Sequence, residues 1–132
     1  MNDTTAAELL RGARVLVAED EYTIAILLVD YLEMLGVEVV GPAGNLTTLQ
    51  DLIDQGPIDA ALLDINLAGE LVYPVADRLA DAGIPFLLTS GYDDNLPERF
   101  AGVPRCAKPY RLEVLAAALR ARLACRPHGH AD

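Results

Sequence analysis

Short runs of aliphatic residues alternate with longer stretches of helical spacing along the chain, and this alternation limits the fold more than any other feature. The aliphatic runs are continuous, as expected for strands that are covered on both faces of a sheet. Helices that connect such strands join them into parallel βαβ units. The predicted strands are Arg14–Ala18, Val37–Val40, Ala60–Leu63, Pro85–Thr89 and Pro104–Ala107.

The stretches between and after these strands are predicted to be helical. Apolar residues recur at helical spacing in Tyr22–Leu35, and Gly36 ends that helix. Asn45 is a suitable N-cap for a second helix over Leu46–Ile53. Two more helices are predicted over Tyr73–Ala82 and Tyr110–Leu123, whereas Asp93–Phe100 contains Pro97 and favours only a short or irregular helix.

The length and the charge of the chain restrict its organisation and its partners. We assign residues 14–124 of the 132 to one domain, residues 1–13 to an N-terminal tail and residues 125–132 to a C-terminal tail. The formal net charge of -10 argues against nucleic-acid and membrane partners. Two cysteines cannot form a disulfide framework, and no apolar stretch approaches the roughly 20 residues of a membrane span. We therefore expect a cytoplasmic location.

Polar residues stand where the predicted strands end. Glu19 and Asp20 follow the first strand, Asp64 follows the third, Thr89 ends the fourth and Lys108 follows the fifth. The carboxyl ends of parallel strands meet at one edge of a sheet, so these side chains should converge. Three neighbouring carboxylates repel one another and need a hard divalent cation, for which Mg²⁺ is the natural choice. Asp64 stands alone at the end of a central strand and is the predicted nucleophile, able to form an aspartyl phosphate that Lys108 and Thr89 would stabilise.

These residues, in this order, resemble the receiver domain of two-component response regulators over roughly residues 14–124. The resemblance implies an α/β, flavodoxin-like (βα)5 fold with strand order 2-1-3-4-5 and helices on both faces of the sheet. It also implies that Asp64 accepts a phosphoryl group from a phosphohistidine on a histidine kinase or a histidine phosphotransfer protein. The magnesium ligands that it implies are the side chains of Asp20 and Asp64, the backbone carbonyl of Asn66, and Glu19 acting through a metal-bound water.

The chain is further similar to stand-alone bacterial receivers of the Phe-Ala-Thr-Gly-Tyr type, in the segment PFLLTSGY of residues 85–92 and in Lys108-Pro109-Tyr110. This similarity implies a single-domain regulator, a monomer or a weak dimer, that signals by phosphorylation-dependent protein binding. Arg105 stands where many receivers carry the Tyr or Phe that moves on phosphorylation. We therefore expect phosphorylation to order residues 90–103 instead. The candidate switch or output residues are Ser90, Tyr92, Arg105 and Tyr110.

Two other functions stay open at the level of sequence. A small magnesium-dependent phosphohydrolase would also use an aspartyl nucleophile, but such enzymes usually place a second acid two residues further on, where this chain has Asn66. An adaptor of the pseudo-receiver type would lack the phosphoacceptor, whereas Asp64 is present. We expect no enzymatic activity beyond self-phosphorylation and slow self-dephosphorylation.

Overall fold

A five-stranded parallel sheet lies at the centre of the computed structural model, which describes residues 6–91 and 96–124. Its strands are β1 (Arg14–Ala18), β2 (Glu38–Ala43), β3 (Ala60–Asp64), β6 (Phe86–Ser90) and β7 (Arg105–Ala107), and a separate antiparallel pair consists of β4 (Asn66–Leu67) and β5 (Glu70–Leu71). The helices are α1 (Ala6–Leu10), α2 (Tyr22–Met34), α3 (Leu46–Asp54), α4 (Tyr73–Asp81) and α5 (Leu112–Ala124). The strand order β2-β1-β3-β6-β7 confirms the predicted flavodoxin-like topology.

The core forms two layers because successive strand residues face opposite sides of the sheet. In β1, Val15 and Val17 pack on the side of α2 and α5, whereas Leu16 and Ala18 pack on the side of α3 and α4. All four of these β1 side chains are buried. Both faces are therefore apolar, which accounts for the continuous aliphatic strands of the sequence. In the described part of the chain, no helix is both long enough and apolar enough to cross a membrane.

The second strand is longer than the predicted Val37–Val40. β2 continues through Gly41 and Pro42 to Ala43, across an irregularity in its pairing with β1. Gly41 has a φ of +109°, and a Cβ at this position would approach the carbonyl oxygen of Val17 to 2.9 Å. Gly41 and Pro42 thus form a bend within the strand rather than its end, and glycine is what allows the bend.

Ordered structure begins before the predicted domain start at residue 14. Within the predicted N-terminal tail, α1 packs against α5. Leu10 is fully buried, and Ala13 is buried just ahead of β1. The sequence did not indicate this because five helical residues are too few to show a periodic pattern. The predicted C-terminal tail, residues 125–132, lies outside the described residues.

In the described part of the connection between β6 and β7, the helix is short and irregular, in line with the prediction for Asp93–Phe100. It is a 3₁₀-helix, Glu98–Phe100, while residues 92–95 lie outside the description. Phe100 is buried; its ring stacks on Tyr73 with centroids 5.5 Å apart and meets the edge of Phe86 at 6.1 Å. These aromatic contacts anchor the end of the connection on α4 and β6.

Candidate functional site at the strand ends

The register of the sheet brings the predicted site residues to one edge. Asp64, the last residue of β3, pairs with Thr89 of β6. On the other side of β3, strand β1 ends one residue before Glu19. Lys108 follows β7, and its backbone N–H donates to the carbonyl oxygen of Ser90 at 2.6 Å. The strand ends therefore place an ammonium group, two carboxylates and a hydroxyl side chain around one point, as predicted.

Lys108 lies between the two buried acids of this site. Its Nζ is 2.7 Å from Oδ2 of Asp64 and 3.1 Å from the carboxylate of Glu19. Glu19 is only 4% exposed and Asp64 only 5% exposed. Glu19 also accepts the backbone N–H of Glu21 at 3.1 Å, which helps to fix its side chain. One ammonium thus compensates one of two buried negative charges, and the other charge is left for a further cation to balance.

Asp20 is the exposed acid of the site, and a hairpin turn holds it. Its Oδ2 accepts the backbone N–H of Ala68 at 2.8 Å. Ala68 and Gly69 form the turn between β4 and β5, and both have positive φ angles, +54° and +86°. Ile65 and Leu67 are fully buried and anchor this segment directly after Asp64. The sequence analysis missed this contact because nothing in the sequence pairs Asp20 with a residue 48 positions away.

The chemistry of the donor set suits a hard divalent cation. Glu19, Asp20 and Asp64 each offer a carboxylate oxygen, and these oxygens lie within 4.8 Å of one another. Oxygen donors of this kind are the ligands that Mg²⁺ prefers. Asn66 is exposed; its N–H donates to Oδ1 of Asp64 at 3.3 Å, and its side-chain oxygen accepts the N–H of Gly69 at 3.0 Å. The role of its backbone carbonyl as a ligand stays a prediction.

The electrostatics of the site disfavour the ionised carboxylates and favour the ammonium. Burial raises the pKa of Asp64 above its ordinary value, and the hydrogen bond from Lys108 only partly offsets that rise. Burial raises the pKa of Glu19 as well, against the hydrogen bonds from Glu21 and Lys108. Burial alone would lower the pKa of Lys108, but its hydrogen bonds to Asp64 and Glu19 and their negative charges raise it overall. Lys108 therefore stays charged at neutral pH.

The remaining candidates differ in how deeply they are buried. Thr89 and Ser90 are buried at the end of β6. Tyr110 lies half-buried among the residues of α2 and α5, where burial and the charge of Glu19 raise the pKa of its phenol to about 12. Arg105 is exposed at the start of β7, and Tyr92 lies outside the described residues. Thr89 thus lies beside Asp64, and Tyr110 lies close enough to Glu19, Lys108 and Asp64 for their charges to affect its pKa. The switch roles of Ser90, Tyr92, Arg105 and Tyr110 stay predictions.

An apolar hollow of about 270 Å³ lies beside Lys108 and was not predicted. Leu27, on α2, lines the hollow and is 57% exposed, which is unusual for a large apolar residue. Leu27 thus belongs to the apolar pattern of the helix and yet faces the hollow and the solvent. The residues that line the hollow are Ile24, Leu27, Lys108, Pro109, Tyr110 and Leu112.

The parallel sheet with this constellation at its carboxyl edge defines a response regulator receiver, and the chain belongs to that family. Its sequence is 39% identical to SdrG from Sphingomonas melonis Fr1, with a TM-score of 0.74 and with 86% of this chain and 97% of SdrG covered. It is 25% identical to the REC domain of the response regulator PhyR from Erythrobacter litoralis, with a TM-score of 0.77 and coverage of 88% and 93%. No family model and no curated protein matches the chain.

Longer regulators contain the same domain as one part. The chain is 27% identical to the response regulator PhyR from Brucella abortus, with a TM-score of 0.76, and 90% of this chain aligns with 51% of that one. The present chain thus spans about half of this PhyR, whereas it spans nearly all of SdrG.

Proposed function

We propose that the protein is a response regulator of a two-component phosphorelay and that Asp64 is its phosphoacceptor. The observation that carries the proposal is the contact between Asp64 and Lys108, 2.7 Å apart at the end of a central strand and in register with Thr89. SdrG, the relative that is covered almost completely, has a BeF3-activated conformation. That conformation supports phosphorylation as the activating event in the present chain too.

Four side chains have separate roles in phosphoryl transfer. An oxygen of Asp64 attacks the phosphorus of a phosphohistidine; the P–O bond forms while the P–N bond breaks, and the imidazole leaves with the electron pair. Lys108 then moves its charge from the carboxylate to the phosphoryl oxygens, and Thr89 donates its hydroxyl hydrogen to one of them. Glu19 keeps the ammonium group in place. Asp20, Asp64 and the backbone carbonyl of Asn66 would hold Mg²⁺, with Glu19 acting through a bound water, and the cation would supply charge neutralisation for the phosphoryl oxygens.

Catalysis by this site is limited to self-phosphorylation and slow self-dephosphorylation, in a bacterial cytoplasm. The signal leaves as a change in protein binding through Ser90 and the connection that follows it. Phe100 already anchors the far end of that connection, so ordering on phosphorylation is expected to be largest near Ser90 and Gly91. Amide hydrogen exchange over residues 90–103, with and without beryllofluoride and Mg²⁺, measures this change.

The test of the phosphoacceptor is mass spectrometry after incubation with histidine kinases of the source organism, one by one, and with a small phosphodonor. We expect one acyl phosphate, stable to acid and labile to base, formed only in the presence of Mg²⁺. Asp64→Asn should abolish it, and Asp51→Asn, at an exposed position on α3, should leave it unchanged. Phosphate that persists in Asp64→Asn would refute the assignment.

The hollow and the exposed face of α2 supply a docking surface for the phosphohistidine donor. Because Leu27 is exposed next to the hollow, Leu27→Ala should slow phosphotransfer from the kinase about tenfold, as truncation of an interface hot spot does. Phosphorylation by a small phosphodonor should not change, since the small molecule needs no docking surface. Met34→Ala, at a position 79% exposed at the end of the same helix, is the matched control.

A further inference from the structure

The β4–β5 hairpin, in the connection that follows β3, contacts two of the three acids of the cluster. At its start, the N–H of Asn66 reaches Oδ1 of Asp64; at its tip, the N–H of Ala68 reaches Oδ2 of Asp20. Asp20 and Ala68 belong to different connections of the sheet. The bond from Ala68 to Asp20 therefore joins the connection after β3 to the loop after β1.

The direction of the Ala68 N–H is fixed by the backbone of the turn. A two-residue hairpin turn of this class needs positive φ at both of its central positions. Gly69 adopts +86° freely, but Ala68 adopts +54° at a cost, since alanine rarely occupies the left-handed region. The bond to Asp20 and the bond from the Gly69 N–H to the Asn66 side chain hold this conformation.

Asp20 needs such a partner more than the other two acids do. Glu19 and Asp64 are nearly buried and are held by Lys108, whereas Asp20 is exposed. A carboxylate has two oxygens, so one can accept the Ala68 N–H while the other faces a cation. Groups that hold a metal ligand in this way commonly set the affinity of the metal site.

We propose that the backbone N–H of Ala68 is a positioning group for divalent-cation binding: it fixes the carboxylate of Asp20 in the orientation that completes the acidic cluster. The inference rests on the cation site proposed above. It assigns to the β4–β5 hairpin a role in metal affinity that is separate from the chemistry at Asp64.

The N–H can be removed alone by placing an α-hydroxy acid in the full chain, so that an ester replaces one peptide bond. Lactic acid at position 68 removes the donor to Asp20. Glycolic acid at position 83 is the matched control, because it removes an exposed N–H that donates to the carbonyl oxygen of Ala80 at 3.1 Å, at the opposite end of the sheet from the acidic cluster. Binding of Mg²⁺, followed by calorimetry at fixed pH, should weaken about tenfold in the first variant, the low end of such effects. The control should stay within about twofold of the unmodified chain.

A second measurement covers the case in which an ester variant folds poorly. Ala68 is exposed, so slow hydrogen exchange of its amide would have to come from the bond to Asp20; we expect slow exchange in the unmodified chain and fast exchange in Asp20→Ala. Equal exchange in both, or equal Mg²⁺ affinity in the two ester variants, would overturn the inference and leave the cation site standing. Absence of Mg²⁺ binding by the unmodified chain would overturn the cation site and the inference with it.

Discussion

Lys108 faces two buried carboxylates with a single positive charge, so the site carries an electrostatic cost in the absence of a bound cation. The cost is visible in Asp64 and Glu19, whose pKa values are raised by burial in spite of the nearby ammonium. At a pH between the unfolded and the native pKa of such an acid, the native state keeps a proton that the unfolded chain has lost. The unfolding free energy therefore falls as pH rises through this range. The cost therefore grows as pH rises through this range and is fully present above the native pKa values of the two acids.

Asp64→Asn should stabilise the protein at pH 7. Burial and the charge of Asp20 disfavour the ionised carboxylate of Asp64 more than the contact with Lys108 favours it, as its raised pKa shows. The net increase in unfolding free energy is therefore on the order of 1 kcal/mol. Urea denaturation measures it. The gain should shrink as pH falls through the raised pKa of Asp64, because the native carboxyl then becomes neutral. A destabilised Asp64→Asn at pH 7 would show that the ion pair dominates instead.

Lys108→Met should have the opposite effect while keeping an aliphatic stem of similar size. Without the ammonium, two buried carboxylates face each other unpaired, and the loss of unfolding free energy at pH 7 should be about 3 kcal/mol. The pKa values of Glu19 and Asp64 rise further in this variant, so the loss should diminish as pH falls and both acids become protonated. The control is Arg111→Met, which breaks an exposed pair with Glu113 at 3.0 Å and should cost at most about 0.5 kcal/mol. A loss that does not vary with pH would indicate packing rather than charge.

At the scale of elements, the hairpin after β3 contains a strained residue at a functional edge. Ala68→Gly should raise the unfolding free energy by about 1 kcal/mol, because glycine adopts positive φ without the steric penalty of Cβ. Ala101→Gly is the control, since Ala101 has a φ of −59° in the right-handed region and glycine should cost stability there. Thermal melting of both variants checks the opposite signs. Equal effects would mean that position 68 is not strained in solution.

Secondary-structure elements and site residues could be predicted from the sequence where they depend only on residues close by in the chain. Asn45 was predicted to cap α3 because its side chain needs only the nearby backbone, and its Oδ1 accepts the N–H of Thr48 at 2.8 Å. The end of β2 and the β4–β5 hairpin were missed because they depend on distant partners, the carbonyl oxygen of Val17 and the carboxylate of Asp20. The same holds within the site: residue type and strand ends predicted its members, but which acid Lys108 contacts depends on the register of the folded sheet.

At the scale of the whole molecule, the two ends of the sheet differ in their contribution to stability. The carboxyl end holds the charged site and has a cost in stability. At the opposite end, α1 packs on α5, and the Gly12 N–H donates to the carbonyl oxygen of Gly36 at 2.7 Å. Leu10 belongs to the core layer under α2 and α5. The N-terminal residues thus add apolar packing at this end of the sheet, and that packing offsets the electrostatic cost of the charged site at the other end.

Leu10→Ala should therefore lower stability without changing the site. Leu10 is fully buried, so its truncation should reduce the unfolding free energy by about 3 kcal/mol and leave a cavity. For a chain of this size the melting temperature should fall by about 10 °C. Because Leu10 precedes β1 and the site follows its other end, phosphorylation of Asp64 by a small phosphodonor at 20 °C should proceed at the unmodified rate. Met34→Ala, at an exposed position on α2, should change neither property. If Leu10→Ala instead alters phosphorylation while the protein is still folded, the two ends of the sheet are coupled, and α1 belongs to the signalling mechanism rather than to the stability of the fold alone.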